Sequence, residues 1–198
     1  MNKIFIFMGP EGAGKSTQAK LFAKDCKLLY ISTGDMLRFF AQNDKGYLGN
    51  AVRAMFARHG YLKSELLNRI VIETLKNAKY KNGVVLDGSL RTFEETEEFD
   101  QVLQKTGLDL PVIVFYLNIS EDESIKRLTF GRKRVDDTIE GVKARLSHFH
   151  NQLKERLAII REKYQLIEIN GEQSEEKVHE EIMNKATSLS SWKEADAD

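Results

Sequence analysis

The sequence has few cysteines, no excess of charge of one sign and no long apolar run, and each of these absences excludes a class of protein. It contains one cysteine, Cys26, among 198 residues, so no disulfide can form within the chain and a reducing cytoplasmic location is expected. The 30 basic and 30 acidic residues cancel, which argues against a protein dedicated to nucleic acid or to membrane surfaces. No run approaches the ~18 apolar residues needed to cross a bilayer, and the apolar segment at residues 3–8 is too short for a signal peptide.

The residues that are present have the composition and periodicity of one α/β domain. Apolar residues make up 41% and charged residues 30%, and the chain is long enough for one substantial core. Short apolar runs alternate with helical patterns, without an internal repeat or a linker. This alternation predicts a mostly parallel five-stranded sheet covered by helices on both faces, a three-layer fold. The predicted strands cover residues 3–8, 28–31, 84–87, 112–117 and 165–169.

The central motif is residues 9–17, GPEGAGKST, which fits the phosphate-binding pattern G-x-x-x-x-G-K-[ST]. An apolar strand precedes it and an amphipathic helix follows it, which is the context that the motif requires. The glycines allow successive backbone N–H groups to face an anion, and the helix start adds a positive dipole end. We therefore expect Lys15 to reach the β- and γ-phosphates of a nucleotide, and the Ser16 hydroxyl to bind Mg²⁺.

A carboxylate follows the third predicted strand. Val84, Val85 and Leu86 lead directly into Asp87, at the carboxyl end of a buried strand. Open α/β sheets bind ligands at that edge, and an Asp there is the expected partner of the Mg²⁺ that accompanies a phosphate-binding loop. We predict that Asp87 binds Mg²⁺ directly or through water.

Residues 33–78, between the second and third strands, have helical patterns over a stretch too long for a single crossover helix. We interpret this region as containing an inserted lobe that binds a substrate. Ser32, Thr33 or Asp35 can cap its first helix, because each carries a side-chain oxygen at the start of the pattern.

Further helices are predicted in the second half of the chain. Thr92 and Ser120 each precede a glutamate by three residues, as in a capping box. An apolar stripe from Val142 to Ile160 predicts one long helix, and residues 174–188 a last one.

Six arginines are the second indication of function. They lie near predicted helix starts, at loop ends or in the basic segment at residues 126–134. Phosphoryl transfer needs phosphates held in line and their charge neutralised, and a guanidinium group suits phosphate oxygens because it donates two parallel hydrogen bonds. For any single arginine, a solvated surface position is the plainer alternative. The six are Arg38, Arg91, Arg127, Arg132, Arg134 and Arg145.

The order of these motifs resembles that of the adenylate kinases and related nucleoside monophosphate (NMP) kinases, across nearly the whole chain. Four segments carry the resemblance, and the second and fourth are far more specific than a phosphate-binding loop alone. They are GPEGAGKST with Gln18, Ile31-Ser32-Thr33-Gly34-Asp35-Met36-Leu37-Arg38, Val85-Leu86-Asp87-Gly88-x-x-Arg91, and Arg134-Val135-Asp136-Asp137 with Arg145-Leu146.

The resemblance implies a P-loop fold in which residues 1–190 form one kinase domain. A helical NMP-binding lobe would cover residues 33–64, and a lid would cover residues 127–137. The lid is short and has no cysteine, so it is similar to the family's short form without zinc, and Arg132 has no clear counterpart. Residues 191–198 would be a frayed tail. The parallel core would comprise residues 1–32, 65–126 and 138–190.

The resemblance also implies transfer of the ATP γ-phosphoryl group to AMP, with Mg²⁺, giving two ADP in a monomeric protein. The catalytic residues would be Lys15, Arg91, Arg134 and Arg145. The ATP-binding residues would be Gly12, Ala13, Gly14, Lys15, Ser16, Thr17 and Arg127. The NMP-binding residues would be Thr33, Arg38, Leu62, Gly88, Arg91, Glu95, Arg134 and Arg145. Ser16 and Asp87 would hold Mg²⁺, partly through water.

The chain departs from the family pattern at several positions. An aromatic residue and a proline usually precede the arginine at position 91, and here Ser89 and Leu90 replace them. A cis peptide bond before a proline costs little free energy, whereas a cis bond before any other residue costs about 3 kcal/mol. Because Leu90 replaces the proline, the approach of Arg91 to the acceptor phosphate is expected to differ. Lys63-Ser64 replaces the usual Val-Pro. Leu153-Lys154-Glu155 replaces a Thr-x-Pro, so the long helix is expected to be unbroken.

Position 95 bears on the choice of acceptor. In adenylate kinases, a glutamine four residues after the phosphate-binding arginine pairs with adenine, and here that residue is Glu95. An ionised carboxylate only accepts hydrogen bonds, so it suits guanine and would repel adenine N1. Either the acceptor is GMP or a pyrimidine monophosphate, or Glu95 serves only the capping box with Thr92. A nucleotide-binding regulator without efficient transfer is the alternative from another class.

Overall fold

The structure is a computed structural model that describes residues 2–58, 62–77, 83–131 and 139–192. Five parallel strands form one sheet in the order β2-β3-β1-β4-β5, which confirms the predicted α/β class. The strands are β1 (Lys3–Met8), β2 (Leu29–Ser32), β3 (Gly83–Asp87), β4 (Val112–Asn118) and β5 (Gln165–Asn170). The α-helices of the described residues are α1 (Lys15–Asp25), α2 (Thr33–Asn43), α3 (Tyr47–Ala57), α4 (Ser64–Asn77), α5 (Phe93–Thr106), α6 (Glu121–Lys126), α7 (Ile139–Asn151), α8 (Leu153–Lys163) and α9 (Glu175–Trp192).

Helices cover both faces of the sheet because its central strands are apolar on both sides. All residues of β3 are buried, and so are those of β1 after Lys3. Along β1, Ile4 and Ile6 pack with residues of α2, α5 and α8, whereas Phe5 and Phe7 pack with residues of α1 and α9. The alternation of side chains along each strand therefore divides the core into two layers, as the three-layer prediction requires.

The parallel register aligns the carboxyl ends of three strands. Phe7 of β1 pairs with Asp87 of β3, and Ser32 of β2 pairs with the same Asp87. The loop after β1, the start of α2 and the segment after β3 consequently leave the sheet at one edge. Open α/β sheets bind ligands at that edge.

The helical region after β2 starts with a side-chain cap. Of the three candidates, Ser32 caps α2, since its Oγ accepts the backbone N–H of Asp35 at 3.3 Å. A tight corner joins α2 to α3, where a Cβ on Gly49 would lie 1.8 Å from the carbonyl oxygen of Asp44. The lobe boundaries at residues 33–64 stay a prediction.

The unbroken helix predicted through Val142 and Ile160 is wrong. The chain forms α7 and α8, which are separated at Gln152. Gln152 Oε1 accepts the backbone N–H of Phe93, the first residue of α5, at 3.1 Å. The apolar residues keep the same helical spacing on both sides of the break, so the sequence periodicity does not reveal it. The break coincides instead with this tertiary contact.

Two predicted segments lie partly outside the described residues. Ser120 caps α6 as expected, because its Oγ accepts the Glu123 N–H at 3.3 Å, and a π-helical turn follows at Arg127–Gly131. Residues 132–137 of the predicted lid and residues 193–198 of the predicted tail are outside the description, while α9 continues to Trp192.

Among the helices described, none is both long enough and apolar enough to cross a membrane.

Candidate active site

The loop between β1 and α1 has the backbone of an anion-binding site. Gly12 and Gly14 have φ values of 83° and 84°, in the left-handed region that residues with a Cβ rarely adopt. A Cβ on Gly12 would also lie 3.1 Å from the carbonyl oxygen of Ser124, so a larger residue would force a shift there. The N–H groups in the first turn of α1 lack acceptors within the helix, and they favour a negative group in front of the loop.

Lys15, the first residue of α1, folds back along this loop. Its Nζ donates to the carbonyl oxygen of Pro10 at 2.6 Å. Lys15 also lines a cleft to which Arg91 from the segment after β3 and Arg145 from α7 contribute. The structure therefore brings three of the four predicted catalytic residues to one cleft, while the fourth, Arg134, lies outside the described residues.

Asp87 accepts two hydrogen bonds beside the loop. Ser16 Oγ donates to Asp87 Oδ2 at 2.6 Å, and the Tyr30 hydroxyl donates to the same oxygen at 2.8 Å. Burial and the neighbouring Asp87 carboxylate raise the pKa of Tyr30 above its usual range, so this hydroxyl keeps its proton. The two residues predicted to hold Mg²⁺ are thus in direct contact.

The chemistry of this pair fits Mg²⁺. A hydroxyl and a carboxylate are hard oxygen donors, and Mg²⁺ in nucleotide sites typically takes one or two such side chains together with phosphate oxygens and water. Among the residues described, no cluster of three or more His, Cys, Asp or Glu side chains could hold a metal ion by itself. Ser16 and Asp87 could therefore hold the ion in company with a bound nucleotide.

Two of the predicted arginines are anchored on the loop. Arg127 donates from Nη1 to the carbonyl oxygen of Gly12 at 3.4 Å and from Nη2 to that of Gly171 at 2.9 Å. Arg145 Nε lies 2.9 Å from Glu11 Oε2, and 12% of its side chain is exposed. Each guanidinium thus contacts the backbone or a side chain of the phosphate-binding loop.

Arg91 follows a compact turn after β3. Gly88 has a φ of 82°, and a Cβ there would lie 2.6 Å from Arg91 Nη2, so the guanidinium packs directly against this glycine. The backbone N–H of Arg91 donates to Glu95 Oε2 at 2.9 Å. Gly88 therefore leaves the space that the Arg91 side chain uses to reach the cleft.

The other predicted NMP-binding residues are placed differently. Thr33 is buried, and its Oγ lies 3.4 Å from Ser89 Oγ, so the start of α2 meets the segment after β3. Leu62 is also buried. Arg38 pairs with Asp35 and keeps 46% of its side chain exposed, and it is not among the described residues that line the cleft. Arg132 lies outside the described residues.

Glu95 is buried, with 5% of its surface exposed. Its backbone N–H donates to Thr92 Oγ1 at 3.2 Å, as a capping box requires, but its carboxylate accepts the N–H of Arg91 and not that of Thr92. Burial raises the pKa of Glu95 above its usual value. The carboxylate is thus engaged by the backbone of the segment that carries Arg91.

Sequence reasoning missed Tyr30 and Arg156. Tyr30 acts on Asp87 only because β2 lies next to β3, and the order of strands in a sheet cannot be read from the chain. Arg156 lines the same cleft as Lys15, and only 1% of its surface is exposed. Arg156 is three residues after Leu153 and so lies on the apolar stripe of the helix. This spacing could have predicted that its charged side chain points into the protein.

Comparisons with known proteins agree with this arrangement. A family model described as "Adenylate kinase" matches residues 7–165. "Adenylate kinase 1" of Nostoc sp. is 35% identical over 177 residues, which cover 89% of this chain and 95% of that protein. The adenylate kinase of Azobacteroides pseudotrichonymphae is 33% identical and covers 96% of this chain and 99% of its own, and that of Clavibacter michiganensis is 33% identical over 89% of each. The chain therefore belongs to the adenylate kinase family of phosphotransferases.

Proposed function

We propose that the protein transfers the γ-phosphoryl group of ATP to AMP and produces two molecules of ADP. The observation that carries this proposal is the convergence of Lys15, Arg91 and Arg145, from three distant parts of the chain, on one cleft beside the phosphate-binding loop. Three cations can offset part of the negative charge of a triphosphate and an acceptor phosphate that approach each other end to end.

Each group has a defined task in this proposal. Lys15 and the N–H groups at the start of α1 bind the ATP phosphates, and Arg127 supports the same side through its contact with the loop. Arg91 binds the acceptor phosphate, and Arg145 binds the group in transfer. Mg²⁺, held by Ser16 and Asp87, would supply further charge neutralisation when bound. No side chain needs to act as a base, because the acceptor phosphate is already anionic.

AMP is the acceptor that the relatives' names favour, since they are described as adenylate kinases. The position of Glu95 removes the objection to AMP that its carboxylate raised. A carboxylate that is buried and bonded to the Arg91 N–H is engaged by the protein itself, which favours a base bound mainly by other groups. GMP stays the second candidate, because a carboxylate that turned toward the base would match the guanine N1–H and N2–H donors.

The test compares initial rates with AMP, GMP, CMP and UMP at equal concentration, with ATP and Mg²⁺ in excess. We expect AMP to give the highest rate. A clear preference for GMP would replace AMP as the acceptor and keep the reaction class. Measurable ATP binding without diphosphate from any of the four would overturn the kinase proposal in favour of a nucleotide-binding regulator.

We further propose a monomer that acts in the cytoplasm. All the side chains assigned to the two substrates come from one chain, so the proposed site needs no second subunit. A single elution volume at the monomer mass, unchanged by ATP and AMP, is the expected result of size-exclusion chromatography with light scattering.

A further inference from the structure

The segment that carries Arg91 has a backbone that its own sequence does not favour. Leu90 has a φ of 58°, in the left-handed region, and only 1% of its surface is exposed. A Cβ in this region crowds the carbonyl oxygen, so a leucine rarely adopts it unless neighbouring groups hold it there. The residue immediately before Arg91 thus depends on contacts from elsewhere in the fold.

Helix α8 and the break before it supply two such contacts. Arg156 Nη2 donates to the carbonyl oxygen of Leu90, and Gln152 Oε1 accepts the N–H of Phe93 at 3.1 Å. Gln152 and Arg156 are four residues apart, so they project from the same side of one helical turn. Their two hydrogen bonds fix the backbone on both sides of Arg91.

Arg156 occupies an environment that its charge makes costly. Its guanidinium carbon lies 4.8 Å from the centre of the Phe149 ring, and its side chain is almost completely buried within an otherwise apolar stripe. A buried cation is poor evidence of a gain in stability, because an apolar side chain of similar size often serves as well. Two groups explain its use at this point: the backbone carbonyl oxygen of Leu90 that it holds, and the Glu95 carboxylate, whose pKa its charge lowers.

We propose that Gln152 and Arg156 form a clamp that sets the backbone of residues 90–93 and so aims Arg91 at the acceptor phosphate. The proposal rests on the proposed function, because it takes the acceptor phosphate as the ligand of Arg91. Both residues are positioning residues, since they act through the segment that carries Arg91. The clamp residues flank positions 153–155, so the clamp joins the part of the chain that holds this departure from the family pattern to the other departure, Ser89-Leu90.

The first experiment separates the two substrates. Arg156→Met removes the hydrogen bond and the charge while keeping an unbranched side chain. We expect the KM for AMP to rise about tenfold or more, while the KM for ATP stays within about twofold, because only the acceptor side depends on Arg91. Arg161→Met is the matched control: Arg161 lies on the same helix, is exposed and pairs with Glu168, so neither KM should change.

The second experiment tests the route of the effect. Glycine adopts the left-handed region without strain, so Leu90→Gly should reduce the need for Arg156. Starting from Leu90→Gly, adding Arg156→Met should raise the KM for AMP by no more than about threefold, against about tenfold in the parent. A merely structural role of Arg156 would give the same loss in both backgrounds.

Gln152→Ala gives an independent measurement if Arg156→Met does not fold. It removes the hydrogen bond to Phe93, and we expect a several-fold rise in the KM for AMP without a change for ATP. Equal rises in both KM values, or a folded Gln152→Ala variant with a normal KM for AMP, would overturn the clamp.

Calorimetric titration with AMP alone distinguishes failure of the clamp from failure of the kinase proposal. If the parent protein binds AMP but transfers nothing, the proposed reaction is wrong, and the clamp is judged by the loss of AMP affinity in Arg156→Met. If the parent protein transfers and Arg156→Met binds AMP normally, the clamp alone is wrong. A parent protein that binds no NMP would overturn both.

Discussion

Arg145 of α7 and Glu11 of the phosphate-binding loop form an ion pair, with Arg145 Nε 2.9 Å from Glu11 Oε2. Only 12% of the Arg145 side chain and 26% of the Glu11 side chain are exposed, so water screens this pair less than one on the open surface. A carboxylate within an anion-binding loop opposes its ligand, because nucleotide phosphates carry charge of the same sign. In the proposed site, Glu11 therefore competes with the phosphates for Arg145.

Glu11→Gln should consequently tighten ATP binding. The variant keeps the size of the side chain and a hydrogen-bond acceptor for Arg145, and it removes the negative charge. We expect the dissociation constant of ATP to fall about fivefold, equivalent to about 1 kcal/mol, in calorimetric titrations at low salt. Glu168→Gln, which removes the carboxylate of an exposed pair, is the control. ATP affinity that is unchanged or weaker in Glu11→Gln would contradict the competition.

Lys15→Ala should lower turnover by about three orders of magnitude, the scale of a missing cation at a phosphoryl transition state. Arg134→Ala is expected to have an effect of the same size, on the strength of the sequence motif alone. The measurement is kcat with both substrates saturating, and thermal unfolding of each variant establishes that the fold is retained. A near-normal kcat in a folded variant would remove that residue from the catalytic set.

Asp87→Asn should raise the Mg²⁺ concentration needed for half-maximal activity by about tenfold or more, the cost typical of altering a group that orders a metal or its waters. Tyr30→Phe is the matched control, because it removes one hydrogen bond to the same Asp87 oxygen and leaves the carboxylate charge in place. The measurement is the initial rate at fixed ATP over a Mg²⁺ titration. An identical Mg²⁺ dependence for Asp87→Asn and the parent protein would exclude Asp87 from the metal site.

The sequence was sufficient where the determining interactions are local. The strand before the loop, the glycine pattern and the helix that starts at Lys15 follow one another without interruption, so their structure could be predicted together. The place of Asp87 at the end of β3 could be predicted for the same reason, since an apolar strand leads directly into it. Ser120 and Ser32 cap their helices because a cap depends on residues within one turn.

The sequence was insufficient where distant segments meet. The break at Gln152 accompanies a contact with Phe93, 59 residues away, and the apolar periodicity on either side gives no sign of it. Tyr30 reaches Asp87 only through the strand order. The Glu95 N–H does donate to Thr92, as the capping-box pattern predicts. Its carboxylate, however, accepts the backbone N–H of Arg91 and not that of the neighbouring Thr92, which the sequence pattern cannot distinguish.

Glu95 gives a last prediction, which concerns pH. Burial raises the pKa of Glu95, against the opposing effects of the Arg91 N–H and the charges of Arg91 and Arg156. A carboxyl with a higher pKa in the folded than in the unfolded protein binds its proton more tightly when folded. Its contribution to stability is therefore complete below the usual glutamate pKa and is lost as the pH rises through the raised value.

Glu95→Gln should remove this loss, because the amide stays neutral and its oxygen can still accept the Arg91 N–H. The unfolding temperature near pH 7 should therefore rise, and the gain should disappear near pH 4, below the usual glutamate pKa. Glu97→Gln, at an exposed position of the same helix, should show no such pH dependence. A stability gain with an unchanged ranking of AMP over GMP assigns Glu95 to the backbone of the Arg91 segment. A selective rise in AMP turnover with no gain in stability would instead mean that the carboxylate faces the acceptor base.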